Sequence, residues 1–353
     1  MTPSPIRLAL PVLLLSSAAA LAEPPCPGDL YLWRVSSGGT APFTDLGSGP
    51  GPDQIALGDF DGDGRTDVFN AEQTGPDSWQ WRFAPGGEGD FVNLAVAGSD
   101  RIALGDFDGD GKTDVFRAAA HAGAGWQWQY SAGGTAPFRD LAVGPQIDKL
   151  GFGDFDGDGK TDVFHARKIG GDTWRWEYSA GGFESFADLA QGPGPDQISL
   201  GDFDGDGKTD VFHAREIGQG IWQWMYSPGG ADNFVNLAVG PGPKAIAFGD
   251  FDGDKRTDVF SAVPTGAGTF RFLMSAGGAA NFAELSVGPP GIDGLSFGDF
   301  DGDGRTDLFA ATCKAASSRV PRRGSGGRPA GGSAKGARPP RRKVSRHGSP
   351  DWE

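Results

Sequence analysis

The sequence predicts an all-β chain built as a closed ring of four-stranded sheets. Three observations carry this. The pattern Asp-Phe-Asp-Gly-Asp-Gly-(Lys/Arg)-Thr-Asp begins at Asp59, Asp106, Asp154, Asp202, Asp250 and Asp299, with steps of 47, 48, 48, 48 and 49 residues. Each period holds four short runs rich in β-branched and aromatic residues, bounded by Gly, Pro and Asn. The ends of the array complement each other. Four strands in a repeat of this length is the size of one propeller blade, and stacked repeats share one continuous core.

The elements follow in chain order. Residues 1–22 read as a secretory signal: Arg7 supplies the positive charge, Leu8 to Leu15 the apolar run, and Ala20-Leu21-Ala22 the cleavage site. That run is too short to span a bilayer, and no other stretch is long enough. The exported protein should meet an oxidising, calcium-containing compartment, secreted, periplasmic or at the cell surface. Residues 23–313 form the repeat array. In the copy at Asp202, strand A is Ile198–Leu200, B is Val211–Ala214, C is Trp222–Tyr226 and D is Phe234–Val239. Before the first motif stand only a C-like run (Tyr31–Val35) and a D-like run (Phe43–Leu46). After the last motif stands only a B-like run, Asp307–Phe309. Five complete blades and a sixth built from both termini account for every strand, and such closure removes exposed sheet edges. Cys26 and Cys313, the only cysteines, fall at the B–C junction of the composite blade, where one disulfide would join the ends; the alternative is two unpaired thiols. Residues 314–353 are rich in Arg, Gly, Pro and Ser without hydrophobic period, and read as a disordered basic tail or an altered gene end.

Net charge is −15, divided as +9 over 314–353 and −24 before it. The six motifs supply 24 of the 46 acidic residues, so the acidity is mostly loop charge and does not imply a basic partner.

Within each loop, positions 1, 3, 5 and 9 are Asp, and position 7 offers a backbone carbonyl. The candidate ligands are Asp59, Asp61, Asp63, Arg65 and Asp67; Asp106, Asp108, Asp110, Lys112 and Asp114; Asp154, Asp156, Asp158, Lys160 and Asp162. The other three loops give Asp202, Asp204, Asp206, Lys208 and Asp210; Asp250, Asp252, Asp254, Arg256 and Asp258; Asp299, Asp301, Asp303, Arg305 and Asp307. All-oxygen, carboxylate-rich ligation suits a hard cation, and a flexible loop with many protein donors favours Ca²⁺ over Mg²⁺. Zinc is disfavoured, because no loop contains His or Cys. The charged side chain at position 7 is expected to point to solvent. Position 6 is Gly except at Lys255, where a left-handed backbone would cost a non-Gly residue ~1–2 kcal/mol. The loop at Asp250 should therefore be the weakest of up to six calcium sites.

The strand–loop–strand repeat with this spacing resembles the FG-GAP/VCBS repeats of integrin-α-type β-propellers. The resemblance covers about residues 26–312. It implies a β-propeller with calcium in the loop between strands A and B, held by the four Asp residues and the position-7 carbonyl of each copy. That family usually shows seven blades; the strand count here gives six, with seven as the alternative.

Nine of the ten tryptophans lie on C strands. Trp79, Trp81, Trp126, Trp128, Trp174, Trp176, Trp222 and Trp224 come in i, i+2 pairs on one strand face, and suit either packing between blades or stacking on sugar rings. The likeness to calcium-repeat propeller lectins points to glycan as first-choice ligand, with an extracellular protein second. The segments between strands B and C vary most, as in His165–Gly171, and are expected to be loops on the face opposite the Asp loops. No nucleophile elbow, zinc motif or phosphate loop is present, so a binding or adhesion module without catalysis is expected, although a sugar-modifying enzyme is the further alternative. The chain is expected to be a monomer without nucleic-acid partners.

Overall fold

The computed structural model describes Cys26, Leu30, residues 31–97, 101–123, 125–266, 268–289, Ile292 and 294–313. The signal segment 1–22 and the tail 314–353 lie outside them. Among the described residues, twenty-four strands form six four-stranded antiparallel sheets. In chain order, blade 4 shows the plan: β15 (Ile198–Gly201), β16 (Asp210–Gly218), β17 (Ile221–Ser227) and β18 (Val235–Gly240). The composite blade pairs β1 (Tyr31–Ser36) with β24 (Asp307–Cys313), flanked by β2 (Thr44–Gly49) and β23 (Gly294–Gly298). The six-blade count and closure through both termini are thus as the sequence predicts. Cys26 and Cys313 are joined by a disulfide across 287 residues, at the end of the β1–β24 ladder. Among the described residues, no helix is long and apolar enough to cross a membrane.

Strand B is longer than its sequence signal. In blade 3, β12 runs Asp162–Gly170 and pairs with β13 (Thr173–Ser179) as far as Gly170–Thr173. The expected B–C loop His165–Gly171 is therefore mostly strand, ending in a two-residue turn. Arg167 and Lys168 stand side by side there on an exposed hairpin, which hides the strand from a hydrophobic-run criterion.

The core sits between blades. The second tryptophan of each pair, with Trp33, is buried: Trp33, Trp81, Trp128, Trp176 and Trp224 are 0–1% exposed. Each meets a phenylalanine of the following blade edge-on: Trp33–Phe91, Trp81–Phe138, Trp128–Phe186, Trp176–Phe234 and Trp224–Phe282. Phe272–Phe43 completes the ring. A Cβ on Gly49, Gly144, Gly192 or Gly240 would enter the ring of its tryptophan at 2.1–2.3 Å, which accounts for glycine at the end of these four D strands. The indole N–H of Trp176 donates to the Pro193 carbonyl at 3.1 Å, which satisfies its polar edge. Trp81, Trp128, Trp176 and Trp224 are consequently packing residues. As sugar platforms they are corrected, because no ligand ring can reach a fully covered indole. Trp79, Trp126, Trp174 and Trp222 are half-buried.

Candidate metal centres

Each Asp loop connects strand A to strand B and lies beside the turn between C and D. In blade 4, the Asp202 carboxylate accepts the N–H groups of Gly205 (2.7 Å) and Gly207 (3.0 Å). Asp204 accepts from Asp206 N–H at 3.2 Å, and Asp206 from Lys208 N–H at 2.8 Å. These bonds wind the chain around one centre. Asp210 opens strand B and is fully buried. Its two oxygens accept N–H bonds from Phe203 (2.7 Å) and from Gly229 in the C–D turn (2.8 Å). Position 9 thus ties three segments of a blade together.

The carboxylates converge. One oxygen from each of Asp59, Asp61 and Asp67 lies within 4.8 Å of the others, as do those of Asp154, Asp156 and Asp162. The first three Asp residues of the loops at Asp106, Asp202 and Asp250 do the same. Burial pushes the carboxyl of Asp210 up to about 7, and those of Asp67, Asp114, Asp162, Asp258 and Asp307 to about 6. The two N–H bonds oppose the shift, and the carboxylates at positions 1 and 3 add repulsion. Asp108 Oδ1 is buried without a hydrogen-bond partner. Such acceptors ordinarily have a partner. The donor set fits a hard cation, which would pair the orphan oxygen and relieve the repulsion.

Lys255 holds φ at +69°, where position 6 of the other five loops is Gly at +85°. Its N–H still reaches Asp250 at 2.9 Å, so the loop keeps its bonds and bears the backbone strain, as predicted.

Two position-7 side chains, Lys112 and Arg65, do not point to solvent. Lys112 Nζ donates to the Asp61 carbonyl of the preceding blade at 2.7 Å, and Arg65 Nε to that of Phe300 at 2.7 Å. The cation lies across its neighbour's acidic loop, where a long apolar stem packs over Gly62 or Gly302 and the charge meets carbonyls. Sequence reasoning also missed position 8. Thr209 N–H donates to the Asp154 carbonyl at 2.6 Å, and Thr209 Oγ1 accepts Asp154 N–H at 2.9 Å. A Cβ on Gly153, just before Asp154, would stand 2.5 Å from Thr209 Oγ1. The constancy of Gly and Thr at these two positions in all six copies was the available signal.

The face opposite the Asp loops holds a cavity of about 370 Å³ between the inner strands of blades 3 and 4. Asp148, Asp196, Ser199, Phe152, Phe164 and Phe248 contribute to its lining. His165 Nδ1 pairs with buried Glu177 at 2.9 Å, and His213 Nδ1 bonds the Gln197 carbonyl at 2.9 Å.

The family model of the FG-GAP-like repeat matches residues 59–117, 106–165, 154–213 and 250–310, more than half of the chain and all six loops. The chain belongs to the FG-GAP-like repeat family. No curated protein matches this FG-GAP chain. Its fold is similar to TolB from Acinetobacter baumannii, at 11% identity and TM-score 0.40, covering 82% of this chain and 66% of that one. A thermostable family-43 glycoside hydrolase shares 10% identity at TM-score 0.33, over 72% of this chain and 93% of the other. Polysaccharide lyase Uly1 shares 12% identity at TM-score 0.28, over 73% and 57%. Likenesses this distant carry no argument about activity.

Proposed function

We propose that this FG-GAP protein is an exported binding module whose propeller is held together by calcium. The observation that carries the metal assignment is the convergence of carboxylates in the loops around a desolvated position-9 Asp. The carboxylates at positions 1, 3, 5 and 9 and the position-7 carbonyl would hold the ion. Bound calcium supplies positive charge and oxygen coordination, not reaction chemistry. At ~1 mM calcium and a Kd of ~0.1 mM, each site would add about 1.4 kcal/mol. The Cys26–Cys313 disulfide supports an oxidising compartment, in keeping with a signal at 1–22 and secretion or surface display.

Glycan is the ligand class the surface suits best. The cavity between blades 3 and 4 combines carboxylates and a hydroxyl, which accept hydrogen bonds from sugar hydroxyls, with aromatic walls. A glycan array in calcium tests this: Asp196→Ala should abolish the signal and leave the melting temperature unchanged. A signal untouched by Asp196→Ala, or lost only with stability, would remove the cavity from consideration. A protein partner is the second reading, favoured by exposed Ile169, Ile217 and Ile221 at the hairpin tips of the same two blades.

A further inference from the structure

Every Asp loop is bonded to the next by the same peptide. Thr113, Thr161, Thr209, Thr257 and Thr306 each donate their N–H to the carbonyl of the first Asp in the preceding loop, at 2.5–2.6 Å. Thr66 does the same to Asp299, which closes the circle through the composite blade. The return bonds run from the N–H of Asp59, Asp106, Asp154, Asp202 and Asp250 to the following threonine Oγ1, at 2.8–2.9 Å. The N–H of position 8 and the carbonyl of position 7 belong to one planar trans peptide, so the two point in opposite directions. Fixing the N–H on the preceding loop aims the carbonyl away from it.

The geometry points to a ring of mutually coupled cation sites, in which the Thr peptide of each blade transmits occupancy to its neighbour. This inference rests on the loops being calcium sites. Position 7 is the main-chain ligand of its own site, and position 1 is a carboxylate ligand of the preceding site. A cation drawing on the position-7 carbonyl polarises the attached N–H and strengthens its bond to the neighbouring Asp. That Asp is then held where its carboxylate meets the cation of the preceding site. The coupling is reciprocal, so each site favours both neighbours. Threonine at position 8 is a positioning residue: its side chain locks the peptide without touching the ion.

Calcium titration of the full-length chain by isothermal calorimetry tests this, with circular dichroism confirming the fold of each variant. Two variants are compared with the native chain. Asp204→Asn disables the loop at Asp202. Coupled sites predict five remaining sites, two of them weakened about three- to tenfold, the equivalent of one lost hydrogen bond. Independent sites predict five with unchanged affinity. Thr209→Val keeps every ligand and nearly the same shape. Coupling predicts six sites, with those at Asp154 and Asp202 weakened by a similar factor. An isotherm identical to the native one overturns the coupling while leaving the calcium reading intact. Absence of calcium binding by the native chain overturns both. Should Asp204→Asn fail to fold, Thr209→Val alone decides.

Discussion

Asp210→Asn isolates the part of the loop motif that holds the blade together. Both Asp210 oxygens are acceptors, one for Phe203 N–H and one for Gly229 N–H, and the residue is fully buried. Asparagine keeps one oxygen and puts an NH₂ where the other was. One backbone N–H then faces a donor and loses its partner, at a cost of about 1–3 kcal/mol. Desolvation of the buried amide hydrogens adds a cost of about 1–3 kcal/mol. The expected loss is about 2–6 kcal/mol, large for a single isosteric change. Urea unfolding in 1 mM calcium at pH 7.5 measures it. The control is Asp206→Asn, at an exposed residue of the same loop whose single bond to Lys208 N–H an amide oxygen can retain. It should lose roughly the 1.4 kcal/mol of its own calcium site, plus the smaller loss from weakening of the two adjoining sites. Equal losses in the two variants would refute the reasoning, because position 9 would then act only as one ligand among several.

Lys255→Gly should raise stability in saturating calcium by about 0.5–1 kcal/mol, as relief of the left-handed strain outweighs the greater freedom of glycine when unfolded; a lower melting temperature would contradict this. Cys26→Ser with Cys313→Ser should cost up to about 5 kcal/mol on the loop-entropy account, read as a lower urea midpoint, and the composite blade should exchange amide hydrogens first. In chelator, the protein should be more stable at pH 5.5 than at pH 7.5. The position-9 carboxyls titrate near 6 to 7 when folded against 3.8 when unfolded, so their protonated form favours the fold and that contribution fades as pH rises through 6 to 7. Calcium should reverse the slope, and a flat chelated profile between these pH values would contradict it.

The propeller was legible because its determinants repeat. Spacing of the Asp motif fixes blade size, and the missing strands at each end fix the closure that β1 and β24 make. Cys26 and Cys313 were placed together by that closure alone. Lys255 was legible because only backbone stereochemistry was needed. Three features depended on the adjacent blade, which a single repeat does not display. Position 7 was read as solvent-facing because charge usually is, whereas the neighbouring loop offers Lys112 and Arg65 carbonyls to bond. Position 8 looked like filler until Thr209 met Asp154. The tryptophan pairs share a strand face, yet only structure shows that the next blade's phenylalanine covers Trp81, Trp128, Trp176 and Trp224 and not their partners.

The central claim is that cations in the Asp loops hold the propeller together. Thermal unfolding of the full-length chain in 1 mM calcium and in excess chelator, at pH 7.5, measures this directly. Six sites at about 1.4 kcal/mol each predict a gain on the order of 8 kcal/mol in calcium, comparable to the net stability of a whole domain. Coincident unfolding curves in calcium and chelator would contradict the account.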